Sequence, residues 1–209
     1  PGEHFVTTES GMTILGNSLW GARCNSDGIE AAFWSSICGR TPRWGRHTQE
    51  GRKANIRVNV DFVPGEMIEW DLLGRAIGQR LPLHSQPALA MDCSEADFNK
   101  LRQFLTALAV SSNCEICHIV GLTPEASTLD AAFQGEDPMA YPEITLTRND
   151  LFDAYDAVCD CGQSVVDLVS LGCPHSDIYQ LQEAARLLQG RRVAKGCPLY
   201  TTDAADDEA

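Results

Sequence analysis

The alternation of strand patterns with helix patterns constrains the fold of this chain more than any other feature. Residues 55–62 alternate apolar and polar side chains, which is typical of a half-buried strand, and a helix is expected around 66–80. Two further apolar runs, at 116–120 and 165–171, predict buried strands that lead into a turn and then a helix. Strands that alternate with helices predict an α/β fold, with a mostly parallel sheet flanked by helices.

The remaining predicted elements follow from helix caps and apolar periodicity. They are a strand or turn over 12–20, a helix from the Ser26 cap to about Cys38, a helix from the Ser94 cap, a helix over 177–189 and a short strand over 191–194. Residues 40–53 carry five basic side chains and are expected to form a loop.

Two turns follow predicted strands and are expected to attract an anionic ligand. In 121–125, Thr123 suits an N-cap, Pro124 suits the first helical position, and Glu125 lies just inside the helix. Residues 172–176 form the second turn. Ligands of open α/β sheets gather beyond the carboxyl ends of the strands, and free N–H groups at a helix N-terminus favour anions. The two turns should therefore line the site.

Charge and hydropathy exclude several classes of partner. The 209 residues include 29 acidic and 16 basic side chains, for a net charge of −13, which argues against a nucleic acid or an anionic membrane as the main partner. Polar residues interrupt the longest apolar stretch, 104–122, so it is expected to form core. The start lacks both Met and a signal-peptide pattern. We expect a piece of a longer cytoplasmic protein, with an α/β region over 1–200 and a disordered acidic tail over 201–209.

Nine cysteines, an odd number in a chain of this length, argue against a disulfide framework and for a reducing compartment. Cys173 lies at a predicted strand-to-helix turn, beside His175, where a helix dipole would favour a thiolate nucleophile or metal ligand. A small residue filling a tight turn is the alternative. Cys24 lies in a polar segment that is either a ligand site or an ordinary loop. Cys114 and Cys117 have C-x-x-C spacing without a second pair, which favours buried packing.

Two histidines and three arginines are weaker candidates. His118 and His47 are each either an acid/base group or a histidine satisfied by its surroundings. Arg40, Arg43 and Arg46 either recognise a carboxylate or phosphate or belong to a solvated loop.

Several motifs occur together in one order along the chain. They are the segments 9–10, 17–18, 21–25, 39–42, 118, 121–126 and 167–176. The runs around Thr123 and Cys173 are the most specific. Together these segments resemble the aconitase X family of the aconitase superfamily, and the resemblance covers residues 1 to about 190.

The resemblance implies a dehydratase, or hydro-lyase, that removes water from a small hydroxy acid. Because Cys24 matches the bacterial type, it implies cis-3-hydroxy-L-proline as the substrate, with mevalonate 5-phosphate as the alternative within the family. An alternative of another class is a non-catalytic iron- or zinc-binding domain that assembles with a partner chain. Family members also carry a further N-terminal segment and a swivelling small domain or subunit, so this fold would be part of a larger multidomain enzyme.

The resemblance also implies roles for individual residues. An iron or iron–sulfur centre, [2Fe-2S] by preference, would be held by Cys24 and Cys173. His118 is the catalytic candidate. The substrate-binding candidates are Ser10, Asn17, Ser18, Arg23 and Thr123.

Overall fold

The computed structural model describes residues 1–160, 162, 169, 171–172 and 174–192. The chain divides into two compact units, Pro1–Cys159 and Asp160–Ala209. The elements described in the first unit are α1 (Ser10–Leu19), α2 (Gly28–Cys38), β1 (Ile56–Val60), α3 (Met67–Gly78), β2 (Pro87–Ala90), α4 (Phe98–Ser112), β3 (His118–Ile119), α5 (Leu129–Ala132), β4 (Glu143–Leu146) and α6 (Arg148–Val158). The second unit contains α7 (Ile178–Leu188).

The four strands form one sheet in the order β3-β2-β1-β4, and every neighbouring pair is parallel. The α/β prediction is therefore confirmed. In β1 the apolar side chains of Ile56, Val58 and Val60 are buried, whereas the alternating Asn59 is exposed. This strand could be predicted from the sequence because its two faces differ in polarity.

Close packing of α3 and α4 covers one face of the sheet. A Cβ atom at Gly74 would lie 2.4 Å from the Phe104 carbonyl oxygen, and one at Gly78 would lie 2.5 Å from Ser111 Cβ. Glycine at these two positions lets the helices approach closely, and Trp70 meets Phe104 edge-on in the core between them. The main core lies on this side of the sheet.

A second, smaller core is built mostly from small side chains. It contains Ala54, Ala88, Ala126, Ala132 and Phe133. Ala88 belongs to this core while its neighbour Leu89 belongs to the main one, so the two clusters lie on opposite faces of β2. The second core covers the face from which His118, the partner of Ala88 in β3, projects.

Several predicted elements were wrong. Residues 12–19 lie in a helix and not in a strand or turn, because Glu9 caps α1 by accepting hydrogen bonds from the Gly11 and Met12 amides. Thr123 does not start a helix: it closes a turn onto Ile119, and the next helix is α5. The expected caps Ser26 and Ser94 are replaced by Asp27 and Asp97. Strands β2 and β4 and helix α6 were not predicted.

The bounds predicted for α2 were close, but its apolar side chains are not core. Ile29, Phe33 and Ile37 are 75%, 57% and 62% exposed, and Ala32 is the residue of this helix that is buried. Gly39 ends the helix with a φ of 64°, as expected for a left-handed cap.

In the second unit, α7 begins with a capping box between Asp177 and Gln180. This confirms the predicted helix. Most of the strand expected at 165–171, position 173 and residues 193–194 lie outside the described residues, as does the expected tail. Among the described helices, none is both long and apolar enough to span a membrane.

Candidate functional site

Asn17, near the end of α1, is the centre of a buried polar cluster. Its Oδ1 accepts hydrogen bonds from the Cys24 amide and from Arg52, each at 3.0 Å. Its Nδ2 donates to the carbonyls of Cys24 at 2.7 Å and Glu115 at 2.9 Å. These four bonds use the full capacity of the amide. A contact between this side chain and a substrate, as predicted, would have to replace one of them.

Arg52 is fully buried, and four of its five N–H groups donate hydrogen bonds. Nε donates to the Glu125 carboxylate at 2.8–2.9 Å, and Nη2 forms an ion pair with the same carboxylate at 2.7 Å. The remaining three donate to Asn17 Oδ1, to the Asn17 carbonyl and to the Arg46 carbonyl. The basic loop expected over 40–53 therefore contains a structural cation. Glu125, expected at a helix start, is instead the counter-ion of Arg52.

Cys24 is held in place by this cluster through its backbone. Its side chain is fully buried, and Sγ donates to the Asn25 carbonyl at 3.2 Å. Burial raises the pKa of the Cys24 thiol, opposed by hydrogen bonds from Thr13 and the Thr7 backbone. Cys24 is a free thiol. It is protonated in this environment, and binding of a metal would have to displace that proton.

His118 is buried, and its Nε2 is 2.7 Å from the Arg52 carbonyl oxygen. Burial lowers the pKa of His118, opposed by the hydrogen bond to the Arg52 backbone. The ring is therefore neutral at pH 7 and donates from Nε2 to that carbonyl. The structure gives His118 the satisfied arrangement that was the alternative to a catalytic role, and the catalytic role stays a prediction.

The other substrate-binding candidates fall into two groups. Ser18 and Thr123 are buried, and their hydroxyl groups bond the backbone: Ser18 accepts from the Cys117 amide, and Thr123 bonds both ways with Ile119. Ser10 is exposed at the first residue of α1. Arg23 is partly exposed, and donates to the His47 carbonyl and to a Gln49 side-chain oxygen. Their binding roles stay predictions.

Two glycines let the loop before β1 fold tightly against Asn25. A Cβ atom at Gly45 would lie 2.4 Å from Asn25 Oδ1, and one at Gly51 would lie 1.9 Å from the Gly45 carbonyl oxygen. Asn25 itself accepts from the Arg46 amide at 2.7 Å. Arg46 pairs with Glu115 at 3.1 Å, so its charge is used inside the protein.

A cleft of about 510 Å³ lies beside this loop. Its walls are His4, Phe5, Val6, Ser35, Gly39, Arg40, Thr41, Pro42, Arg43 and His47. Arg40 and Arg43, predicted as anion-recognising residues, thus lie at a concave surface together with His47. Neither arginine has a hydrogen-bonding partner among the described residues.

The polar cluster is built mainly from segments that enter strands. Arg52 precedes β1, and Glu115 and Cys117 precede β3. The turn at 121–125 follows β3, as expected, and the expectation that a ligand gathers at this end of the strands stays a prediction. Arg52 and Glu115 were missed, because a buried arginine and a surface arginine look alike in a single sequence. Covariation between positions 52 and 125 could have shown the pair.

The described residues supply one thiol that fits the predicted iron centre, Cys24. They contain no group of three or more His, Cys, Asp or Glu side chains arranged to hold a metal ion. Cys114 and Cys117 lie in the apolar core, where burial raises the pKa of Cys114 to about 12 and that of Cys117 well above its usual range. They are therefore packing residues. The second predicted ligand, Cys173, lies outside the described residues.

Two models of known families match the chain in tandem. The aconitase X first-domain model matches residues 1–50, and the aconitase X second-domain model matches residues 54–156.

The chain belongs to the aconitase X family.

Curated relatives of this family member have names of two kinds. The phosphomevalonate dehydratase large subunit of Methanosarcina mazei is 29% identical over 204 residues, which cover 96% of this chain and 47% of the relative. The cis-3-hydroxy-L-proline dehydratase of Pseudomonas aeruginosa is 31% identical over 192 residues, which cover 91% of this chain and 33% of the relative. The family predicted from the motifs is confirmed.

A solved structure confirms the aconitase X fold. The crystal structure of Thermococcus kodakaraensis aconitase X in its holo-form superposes with a TM-score of 0.75 at 26% identity. The superposition covers 89% of this chain and 45% of that one. The chain thus spans less than half the length of each of these relatives.

Proposed function

We propose that this chain is part of a hydro-lyase that removes water from a small hydroxy acid. The tandem match to two aconitase X domains carries the proposal, together with relatives that align with 96% and 91% of this chain and are named dehydratases. The cationic cleft supports it. Arg40 and Arg43 would bind the carboxylate of the substrate, which is the group that must hold the charge developing when the α-proton leaves.

We favour cis-3-hydroxy-L-proline as the substrate, because Cys24 matches the bacterial type of the family. The second candidate is mevalonate 5-phosphate. The two arginines of the cleft support it as well, since a phosphate group is also recognised by guanidinium groups. A cytoplasmic location is part of the same proposal.

The proposed cofactor is an iron or iron–sulfur centre, [2Fe-2S] by preference, with Cys24 and Cys173 among its ligands. When bound, such a centre supplies a Lewis acid for the departing hydroxyl group. The positioning of the cysteine ligand is the function of this chain's own residues. Asn17 bonds both the amide and the carbonyl of Cys24, Arg52 donates to Asn17, and Arg23 donates to the carbonyl of His47.

The test uses the full-length protein purified without oxygen. Iron, sulfide and dehydration of both hydroxy acids are measured for the wild type and for Cys24→Ala and Cys173→Ala, with the exposed Cys38→Ala as the matched control. The proposal is supported if Cys24→Ala and Cys173→Ala lose iron and turnover while Cys38→Ala keeps both. Full iron content in both variants would show that these cysteines are not ligands. Bound iron without turnover of either hydroxy acid would favour the non-catalytic metal-binding domain.

We further propose that the complete enzyme includes a swivelling small domain or subunit. One relative is named a large subunit, and this chain spans 47% of it. The exposed side chains of α2 offer an apolar surface for that contact, namely Ile29, Phe33, Trp34 and Ile37. In the complete assembly, Phe33→Glu should weaken the contact between α2 and the small domain or subunit. Co-purification measures this for a separate subunit, and protection of α2 amides from hydrogen exchange measures it for a fused domain. The exposed Phe152→Glu, on α6, serves as the control. Unchanged association in Phe33→Glu would remove α2 from the interface.

A further inference from the structure

The side chain of Asn25 joins the segment that contains Cys24 to the loop that follows Arg43. Asn25 directly follows Cys24 in the chain and is 2% exposed. Its Nδ2 donates to the Trp44 carbonyl at 3.3 Å, and its Oδ1 accepts from the Arg46 amide at 2.7 Å. One side-chain amide thus binds a carbonyl and an amide that lie two residues apart, which fixes the loop backbone at two points.

Glycine at position 45 lets the loop approach Asn25 closely. The φ of Gly45 is 55°, in the left-handed region that favours glycine. A Cβ atom there would lie 2.4 Å from Asn25 Oδ1, which is much shorter than an ordinary non-bonded contact. A side chain at position 45 would therefore separate the loop from Asn25.

A second connection between the same two segments runs through Glu115. Its carboxylate accepts from the Ser26 amide at 2.8 Å and pairs with Arg46 Nε at 3.1 Å. Residues 24–26 and 44–46 are therefore linked by two separate sets of polar contacts, one from within the first segment and one from the chain before β3.

This link lies between the two parts of the proposed site. On one side, Arg40 and Arg43 line the cleft, and Arg43 directly precedes the bonded residues 44–46. On the other side, Asn25 is covalently bonded to Cys24, the ligand proposed for iron. The guanidinium groups that would bind a carboxylate are thus connected to that thiol through the side chain of Asn25.

We infer that Asn25 is a positioning residue that holds the arginine side of the cleft at a fixed distance from Cys24. The inference rests on the proposed hydro-lyase function and assigns a further residue to it. In the substrate, a fixed number of bonds separates the departing hydroxyl from the carboxylate. Both groups can be bound at once only if the arginines and the iron ligand are correctly spaced, and a misplacement of about 1 Å can cost about 10²-fold in rate.

A second asparagine makes the same pair of bonds elsewhere and is the matched control. Asn55 Oδ1 accepts from the Gln86 amide at 2.7 Å, and Asn55 Nδ2 donates to the His84 carbonyl at 3.2 Å. Neither Asn55 nor its two partners lines the cleft. Asn55→Ala therefore measures the loss of two such bonds without an effect on the site.

The first experiment measures hydrogen exchange in the full-length protein and is independent of turnover. Asn25→Ala removes the acceptor of the Arg46 amide, so exchange at this amide should be faster by about tenfold, the effect of losing one hydrogen bond. Asn25→Asp keeps an acceptor oxygen and should keep most of the protection. Asn55→Ala should leave exchange at Arg46 unchanged. Wild-type exchange at Arg46 in Asn25→Ala would overturn the inference.

The second experiment measures dehydration of the hydroxy acid that the wild type turns over, and inhibition by the same molecule without its hydroxyl. For cis-3-hydroxy-L-proline this inhibitor is L-proline. Asn25→Ala should lower kcat by about 10²-fold with iron content unchanged. Its inhibition constant for L-proline should change little, because L-proline needs only the arginine side of the site. Asn55→Ala should keep the wild-type kcat, whereas a merely structural role would affect both asparagine variants alike.

The outcomes separate the inference from the proposed function. Wild-type kcat in Asn25→Ala, or equal losses in Asn25→Ala and Asn55→Ala, would overturn the inference while the hydro-lyase function stands. Loss of iron in Asn25→Ala would also overturn it, because Asn25 would then serve the ligand and not the spacing. If Asn25→Ala does not fold, Asn25→Asp carries the kinetic test: it loses the bond to the Trp44 carbonyl, so a wild-type kcat would contradict the inference. If the iron-loaded wild type dehydrates neither hydroxy acid, the proposed function fails and the positioning role falls with it.

Discussion

Replacing Arg52 tests whether the buried polar cluster is what holds Cys24 in place. Arg52→Ala would remove both hydrogen bonds to Asn17 and the one to the Arg46 carbonyl, and would leave Glu125 without its counter-ion. Breaking a buried ion pair from one side costs about 3–5 kcal/mol. Because the Glu125 side chain is 25% exposed, water recovers part of its solvation and the lower end of that range is expected.

The free energy is read from hydrogen exchange at the Cys24 amide, which donates to Asn17 Oδ1. Hydrogen exchange at one amide reports local opening around that amide, so the free energy can be read without assuming that a multidomain protein unfolds in a two-state manner. A cost of about 3 kcal/mol corresponds to exchange that is faster by about 100-fold, since 1.4 kcal/mol is a factor of ten. Arg52→Lys keeps the charge but replaces five N–H donors with three, so its effect should be smaller than that of alanine and still measurable.

The matched control is Arg148→Ala. Arg148 pairs with Glu69 but is half exposed, and exposed pairs contribute about 0–1 kcal/mol. It should leave exchange at Cys24 unchanged. The reasoning is refuted if Arg52→Ala accelerates exchange at Cys24 no more than the control does. The bonds around Asn17 would then be incidental to the position of the cysteine.

Three further predictions follow from single contacts. Gly51→Ala should destabilise the loop before β1 by several kcal/mol, seen as faster exchange there, because its Cβ would lie 1.9 Å from a carbonyl oxygen. Gly65→Ala, whose Cβ would come no closer than 3.6 Å to another residue, controls for the change of residue type. The hydrogen bond from Arg80 lowers the pKa of Asp150 to about 2, so its stabilising effect is complete above the unfolded pKa near 4 and is lost as the pH falls toward 2. The thermal midpoints of the wild type and of Asp150→Asn should therefore converge as the pH falls from 4 to 2. A difference between the two midpoints that stays constant over this range would show that the Arg80–Asp150 pair is not the source of the stabilisation. Iodoacetamide should modify the exposed Cys38 much faster than Cys114 and Cys117, because burial disfavours the thiolates of the latter two. Peptide mass spectrometry resolves the three rates, and equal rates would contradict the burial of Cys114 and Cys117.

The sequence revealed those elements whose two faces differ in polarity. Strand β1 alternates and α4 carries an apolar stripe, so both were predictable. Helix α1 was missed because residues 13–18 are buried all round, and glycine, serine and asparagine inside it do not suggest a helix. Its start depends on the cap by Glu9, a side chain that is not among the preferred N-caps. Strand β2, with four residues, was too short to show a period.

The candidate site was predictable only in part, because its geometry depends on contacts between distant positions. Asn17 and Cys24 are seven residues apart and were singled out by their motif. Arg52 and Glu125 are 73 residues apart, and no local pattern links them. Asn25 and Arg46 are separated by 21 residues. A single sequence gave the types of these residues but not the pairs that they form.

The structure separates the motif residues by burial. Asn17, Ser18, His118 and Thr123 are buried and bond the backbone or Arg52. Arg40 and Arg43, which have no hydrogen-bonding partner among the described residues, lie at the cleft. A rigid interior of this kind suits an elimination reaction, because the geometry between a base and a departing hydroxyl must hold while charge develops. Under the proposed function, Asn17 holds the backbone of Cys24 in place, and the substrate would bind in the cleft lined by Arg40 and Arg43.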